Sequence, residues 1–319
     1  MFCPITRAYS NTQLMDAANY FYQYRPAAHF LVTDEDAADF LQSQFSNELR
    51  PFEPGRCCYG LWLDVKGKVI ADSVVLCEGE ERFRVLSECC PSEVITAHLQ
   101  RHIIADEVVI EPAGPAWAFQ LFAGAVTALG WTPLQPGQFE TISGGRLYCV
   151  RDQHYTIVLE SESAAEACRA RLLAAGFAAY SEAEQGLARL GAGIPLVPYE
   201  IGPADLPGEG GLQQDAISFT KGCYLGQEVV ARMHNLGKPQ RGLFIVTGQG
   251  SLPSVPCALY NEGAKQVGEL RTAYSEAVGD VWRGVAILKT RYASEGERLH
   301  SDAEEVMVAE LLRKGPKHD

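Results

Sequence analysis

The sequence predicts an α+β protein built on antiparallel sheet, followed by a small separate β-barrel. Strand segments at hairpin spacing are mixed with amphipathic helices up to residue 236, and after Gln240 the helical periodicity gives way to short strands and turns. A chain of 319 residues is long for one core and suits two or three domains.

The first helix is expected from about Asp34 to Leu49. Thr33 and Asp36 form a capping pair there, and Ala37, Phe40, Leu41, Gln44 and Phe45 share one face. Tyr59 to Val65 and Val69 to Leu76 flank Lys66-Gly67-Lys68 and read as a hairpin. Phe83 to Leu86 is a further strand, Pro91 to Ile103 a helix and Val108 to Ile110 a closing strand. A similar order follows. Ala116 to Leu129 reads as a helix stopped by Gly130, and Leu147 to Val150 with Tyr155 to Leu159 as a strand pair. Ser163 to Ala175 is a helix opened by Ser163 and Glu166 at capping-box spacing and closed by Gly176. Gly202 to Gly211 is a loop, and the strands of the barrel are Leu243 to Val246, Val267 to Tyr274, Gly284 to Leu288 and Val306 to Leu311.

The formal net charge of −13 argues against a general nucleic-acid binder, which needs a basic footprint. No apolar run approaches the roughly 20 residues of a membrane span, and the segment around Arg7 and Asp16 is polar, so a cytoplasmic location is expected. The 10 cysteines include the adjacent pairs Cys57-Cys58 and Cys89-Cys90 but no Cys-x-x-Cys, so neither a zinc finger nor a resident cluster is expected and most read as core residues. His98 and His102, at i and i+4, read as a solvated helix face rather than a metal site.

The stretch with the most chemistry is Lys221-Gly222-Cys223-Tyr224-Leu225-Gly226-Gln227-Glu228. Ala216 to Phe219 before it reads as a strand and Val229 to Met233 after it as a helix, which places Cys223 at or near a helix N-terminus. Unpaired N–H groups, the macrodipole and Lys221 would there favour the thiolate. A tight structural turn with an ordinary cysteine is the alternative.

The octapeptide resembles the signature of the YgfZ family, tetrahydrofolate-binding relatives of the glycine-cleavage T-protein that assist iron–sulfur cluster assembly and repair. Four further blocks run in the family's order: Phe40 to Asn47, Leu63 to Asp72, Arg189 to Pro195 and Val267 to Ser275. The resemblance implies two ferredoxin-like lobes and a C-terminal β-barrel arranged as a three-part ring, with folate at the centre. The lobes would span residues 1–236, as 1–111 and 112–236 or interleaved, and the barrel 240–319. It also implies transient contact with iron–sulfur client enzymes, including radical enzymes that modify transfer RNA. Direct nucleic-acid or membrane binding is not expected.

Carried onto this chain, the resemblance makes Cys223 the thiol that meets a cluster, a persulfide or a client cysteine, supported by Lys221 and Arg232. Gly222, Tyr224, Gly226, Gln227 and Glu228 complete the motif. Asp72 stands where T-proteins place the carboxylate that takes the pterin edge, a role suited to an acceptor of two parallel N–H bonds, with Asn47 and Asp64 as further folate contacts. Lys221, Arg232, Lys238 and Arg241 read either as a cluster for the glutamate tail of a folate or as scattered surface charge. Two departures oppose the alternative of a folate-dependent aminomethyltransferase or demethylating enzyme. Gly191 replaces a folate-contacting Glu, and Tyr24 to Val32 lacks the Asp-Val-Ser-His block. A scaffold that keeps the fold without folate is the third reading.

Overall fold

Strand follows strand through most of the chain in a computed structural model that describes residues 19–235, 237, 239–277, 279–301 and 305–312. Cys3, Arg7, Asp16 and Lys238 lie outside the described residues. The first part runs β1 (Tyr20–Tyr24), β2 (Ala28–Thr33), α1 (Ala37–Gln44), β3 (Arg56–Leu63), β4 (Val69–Gly79), β5 (Arg82–Ser87), α2 (Ser92–Gln100) and β6 (Val109–Pro112). It continues with β7 (Trp117–Leu121), α3 (Ala123–Ala128), β8 (Gln138–Ile142), β9 (Gly145–Arg151), β10 (His154–Leu159), α4 (Glu162–Ala174), β11 (Ala178–Ala179) and α5 (Glu182–Gly191). Last come α6 (Gln213–Ala216), α7 (Gln227–Asn235), β12 (Arg241–Gln249), β13 (Cys257–Tyr260), β14 (Gln266–Ser275), β15 (Val281–Lys289), β16 (Arg298–His300) and β17 (Glu305–Leu311).

Two compact units result. One combines β1 with Ala116–Ser181; the other combines Arg25–Pro115 with the described residues from Glu182 onward. In the first, the strands lie in the order β11-β1-β7-β10-β9-β8. Phe21, Phe119, Leu121, Ile157 and Leu147 project from one face of this sheet onto α3 and α4, where Val126, Cys168 and Leu172 complete the core.

In the second unit the order is β3-β4-β5-β2-β6, antiparallel throughout. Burial alternates along β4, so Val69, Ala71, Ser73 and Val75 face inward. Phe40 and Leu41 of α1 and Ile95 and Leu99 of α2 pack on this sheet, and Leu190, Tyr224, Val230, Ile245 and Ile287 extend the same core. The expected terminal barrel is present and closed, in the order β12-β15-β14-β13-β16-β17, with β17 pairing back onto β12. Trp282, Val246, Leu270 and Leu299 fill it.

Several local expectations are corrected. The first helix is limited to Ala37–Gln44, because Asp34 takes a positive φ of 93° and Phe45 turns extended to bridge Trp62. Asp36 does not cap it; its Oδ2 accepts from the Glu107 backbone N–H at 2.7 Å. Ala116 to Leu129 is not one helix, since Trp117–Leu121 is a strand held between β1 and β10 and only Ala123–Ala128 coils. Ser161, not Ser163, caps α4 by accepting from Ala164 N–H. Ala216 ends a short helix rather than opening a strand.

Candidate functional site

The first six residues of the octapeptide form a loop held at several points, each with a separate physical cause, and the last two open α7. Lys221 is 6% exposed and turns inward. Its ammonium donates to the carbonyls of Gln42, Phe45 and Asn47 at 2.7, 2.7 and 2.8 Å. These carbonyls belong to the end of α1 and the turn after it, where the helix leaves acceptors unpaired and its dipole favours a cation. Burial draws the Lys221 pKa down to about 8, against the pull of Glu48 and Cys58. The amine is therefore charged at neutral pH.

Tyr224 is buried with its ring 5.3 Å from the Lys221 Nζ, and burial pushes its phenol up to about 12. Leu225 N–H donates to Ser43 carbonyl and Ser218 N–H to Ser46 carbonyl, both at 3.0 Å, so the loop is laced to the α1 terminus on either side of Lys221. Phe219 stacks on His234 of α7 at 4.1 Å between ring centres.

Gly226 closes the loop with a φ of 81°, and a Cβ there would stand 2.6 Å from the Asp64 carbonyl oxygen. That close approach seats the start of α7 on the Asp64–Lys68 hairpin turn. At Gly222 an added Cβ meets no atom within 4 Å and φ is not positive. Gly226→Ala is therefore expected to lose about 3 kcal/mol, from left-handed strain and overlap with backbone. Gly222→Ala should stay within about 0.5 kcal/mol of the parent. Urea unfolding midpoints check both, and equal losses would contradict this picture of the loop.

Cys223 sits exposed between these pins. The helix starts only at Gln227, after the Gly226 turn, so Cys223 lies before its first turn and not in it. The three protons of the Lys221 ammonium are given to carbonyls at and just beyond the α1 terminus. Arg232 is exposed on α7, and Glu228 is exposed in its first turn, where the dipole favours an acid.

The expected folate contacts separate. Asn47 Nδ2 donates to the Tyr59 and Asp215 carbonyls at 2.8 and 2.9 Å, and its Oδ1 accepts from Glu48 N–H at 2.9 Å, which makes it an internal bracket. Asp64 Oδ1 accepts from the Lys66 and Lys68 backbone N–H groups, each at 2.8 Å, and so shapes the hairpin turn. Asp72 has the carboxylate chemistry expected of it, but inside a network. Tyr59 OH donates to Oδ2 at 3.0 Å, and Ser87 OH and the Cys90 thiol donate to Oδ1 at 3.0 and 3.5 Å.

Other expectations are revised. The basic cluster does not assemble, because Lys221 is interior and Arg241 is held by Glu209 and Asp205. His98 is buried, not solvated; its Nε2 has no hydrogen-bond partner among the described residues and burial draws its pKa down to about 4. Among the described residues no group of three His, Cys, Asp or Glu side chains could hold a metal, and no helix is long and apolar enough to cross a membrane. A cavity of about 110 Å³ lined by Glu48, Arg50, Arg56, Cys57, Cys58 and Cys77 is smaller than the roughly 300 Å³ at which ligand pockets begin.

Sequence reading missed one polar centre altogether. Glu200 is fully buried and accepts a forked pair of bonds from Arg189 at 2.6 and 2.8 Å, with Thr272 Oγ1 at 2.6 Å and Leu196 N–H at 2.8 Å. Burial opposes the charge on Arg189, yet Glu200 and then Tyr274 outweigh it and hold its pKa above the ordinary value. No periodic or motif signal marks Glu200. Gly191, at the end of α5, is exposed, and a Cβ there would meet nothing within 4 Å.

Comparisons with known proteins agree with this architecture. The GCVT N-terminal domain family matches residues 18–126. The chain is 23% identical over 296 residues to the tRNA-modifying protein YgfZ of Colwellia psychrerythraea, covering 88% of this chain and 89% of that protein. It is 25% identical over 292 residues to the tRNA-modifying protein YgfZ of Yersinia pestis, covering 85% of each. The crystal structure of the glycine cleavage system aminomethyltransferase T from Bartonella henselae superposes with a TM-score of 0.76 at 16% identity, over 94% of this chain and 88% of that one, which shows a shared fold. The chain is thus similar to the YgfZ proteins over most of its length and shares the fold of the glycine cleavage system aminomethyltransferase T.

Proposed function

We propose that this protein is a cytoplasmic tetrahydrofolate-binding accessory protein for the assembly or repair of iron–sulfur clusters in client enzymes, tRNA-modifying enzymes among them. The observation that carries this reading is the exposed Cys223 thiol on a loop fixed by Lys221, Tyr224 and Gly226. A thiol presented at the surface of a rigid scaffold can touch a cluster, a persulfide or a client cysteine and release it again. Tetrahydrofolate would supply a one-carbon carrier with N–H donors along its pterin edge, and Asp72 is the carboxylate suited to accept them. It would do so alongside Tyr59 and Ser87, whose hydroxyls already orient it.

The test has two arms. In a deletion strain of the source organism, cluster-dependent tRNA thiolation should fall, the parent gene should restore it and Cys223→Ala should not. Full rescue by the alanine variant removes Cys223 from the mechanism. Separately, titration of the purified protein with tetrahydrofolate should saturate, and Asp72→Asn should weaken binding at least about tenfold by replacing charge-assisted bonds with neutral ones. No saturation up to millimolar ligand would sink the folate half while leaving the thiol half standing. The same preparation, offered an aminomethyl-lipoyl carrier, is expected to show no robust methylene-tetrahydrofolate formation.

A further inference from the structure

The two adjacent cysteine pairs stand outside the function just proposed, and the fold treats them differently. Cys57 and Cys58 lie within β3, where successive side chains point to opposite faces of the sheet, so their sulfurs are kept apart. Cys89 and Cys90 lie in the bend between β5 and α2, outside any strand. The Cys90 thiol donates to Asp72 Oδ1 at 3.5 Å. Its backbone N–H donates to Ser87 Oγ at 3.1 Å, and that hydroxyl donates to the same Oδ1 at 3.0 Å. Cys89 is the residue next to Cys90 in the same bend. Cys90 is buried and Cys89 half-buried. Cys89 is thus the more accessible residue of the pair, and Cys90 is its immediate neighbour along the chain.

We propose that Cys89 and Cys90 form a modification site, a vicinal dithiol that low-molecular-weight disulfides of the glutathione class convert reversibly to a disulfide. Cys89 loses its proton and attacks one sulfur of the oxidant; the oxidant's S–S bond breaks and one thiol leaves. Cys90 then loses its proton and attacks the Cys89 sulfur, which expels the second thiol. Two cysteine thiols are oxidised and one external disulfide is reduced to two thiols, so no other electron acceptor is needed.

Neighbouring Cα atoms are about 3.8 Å apart, shorter than the roughly 4.4–6.8 Å of ordinary disulfides, so the bond is strained and readily reduced. That favours a reversible couple over a permanent staple. Burial pushes both thiols above their usual range, reinforced at Cys89 by Glu88 and Asp72 against the pull of Arg189 and at Cys90 by Asp72, so the exchange is slow at neutral pH and quickens as pH rises. Oxidation also removes the Cys90 S–H donor from Asp72.

Trypsin separates the pairs, because Cys57 and Cys58 fall in the peptide Cys57 to Lys66, and Cys89 and Cys90 in Val85 to Arg101. The full chain is incubated with oxidised glutathione at mildly alkaline pH, quenched in acid, denatured, alkylated, digested and mapped by mass. The Val85–Arg101 peptide should be two hydrogens lighter and carry no alkyl group, and dithiothreitol should reverse this. The Cys57–Lys66 peptide should carry two alkyl groups. Cys90→Ser should instead retain a glutathione adduct on Cys89. Two alkyl groups on the parent Val85–Arg101 peptide, or a lasting glutathione adduct there, would overturn the proposal. This readout does not depend on folate binding.

Discussion

Lys221→Met is expected to destabilise the protein by about 3 kcal/mol, measured as a lowered urea midpoint at unchanged m-value. The three carbonyls that now share the ammonium lose their donor, at about 1–3 kcal/mol for each one left unsatisfied. Relief from burying a charge offsets part of this, and the carbonyl loss wins because three acceptors depend on one lysine. Lys221→Arg should not rescue, since a flat guanidinium cannot replace three donors converging from one nitrogen. The pH dependence has a defined sign. The folded value, about 8, lies below the ordinary lysine value of 10.5, so the unfolded chain binds the extra proton between these limits. The titration of this group therefore adds stability as pH rises from about 8 to 10.5 and is flat on either side, on top of the carbonyl bonds made at neutral pH; Lys221→Met removes that slope. A midpoint within about 0.5 kcal/mol of the parent would mean that Lys221 is not a clamp.

Glu200→Leu is the second large effect, at about 3–5 kcal/mol, because it leaves the Arg189 guanidinium buried without its counter-charge. Pairing it with Arg189→Met should recover much of the loss, since two well-packed apolar side chains replace an ion pair more cheaply than one does. A double-mutant cycle reads this directly, and a coupling below about 0.5 kcal/mol would show that the pair contributes nothing as a pair.

What could be read in advance follows from the range of the forces involved. The Lys66–Lys68 hairpin was legible because Asp64 and Gly67 set it within a few residues. Four of the six barrel strands, β12, β14, β15 and β17, were legible as short strands between turns, whereas the three- and four-residue β16 and β13 were too short to show a pattern, and the octapeptide was legible from its specificity. Trp117–Leu121 was not, since a short apolar run suits helix and strand alike and only pairing with β1 and β10 decides. Lys221 reads as a neighbour of Cys223 because sequence shows only local charge, whereas the fold carries its amine to acceptors far back in the chain. His98 and Glu200 gave no warning, because burial of a single polar side chain has no period.

The clamp that fixes the Cys223 loop also dictates when the loop can exist. The Lys221 bonds join residues 174 to 179 positions apart, so they form only after both ends of that span have been synthesised and the intervening chain has been drawn together. A nascent chain that has exported α1 but not the octapeptide holds a helix end with bare carbonyls and no presented thiol. Contacts of such long range place the loop among the late steps of folding, after the local hairpin of β3 and β4. Its thiol therefore reaches its exposed position only in a chain whose central core is already closed, so that presentation of the thiol waits on completion of the fold.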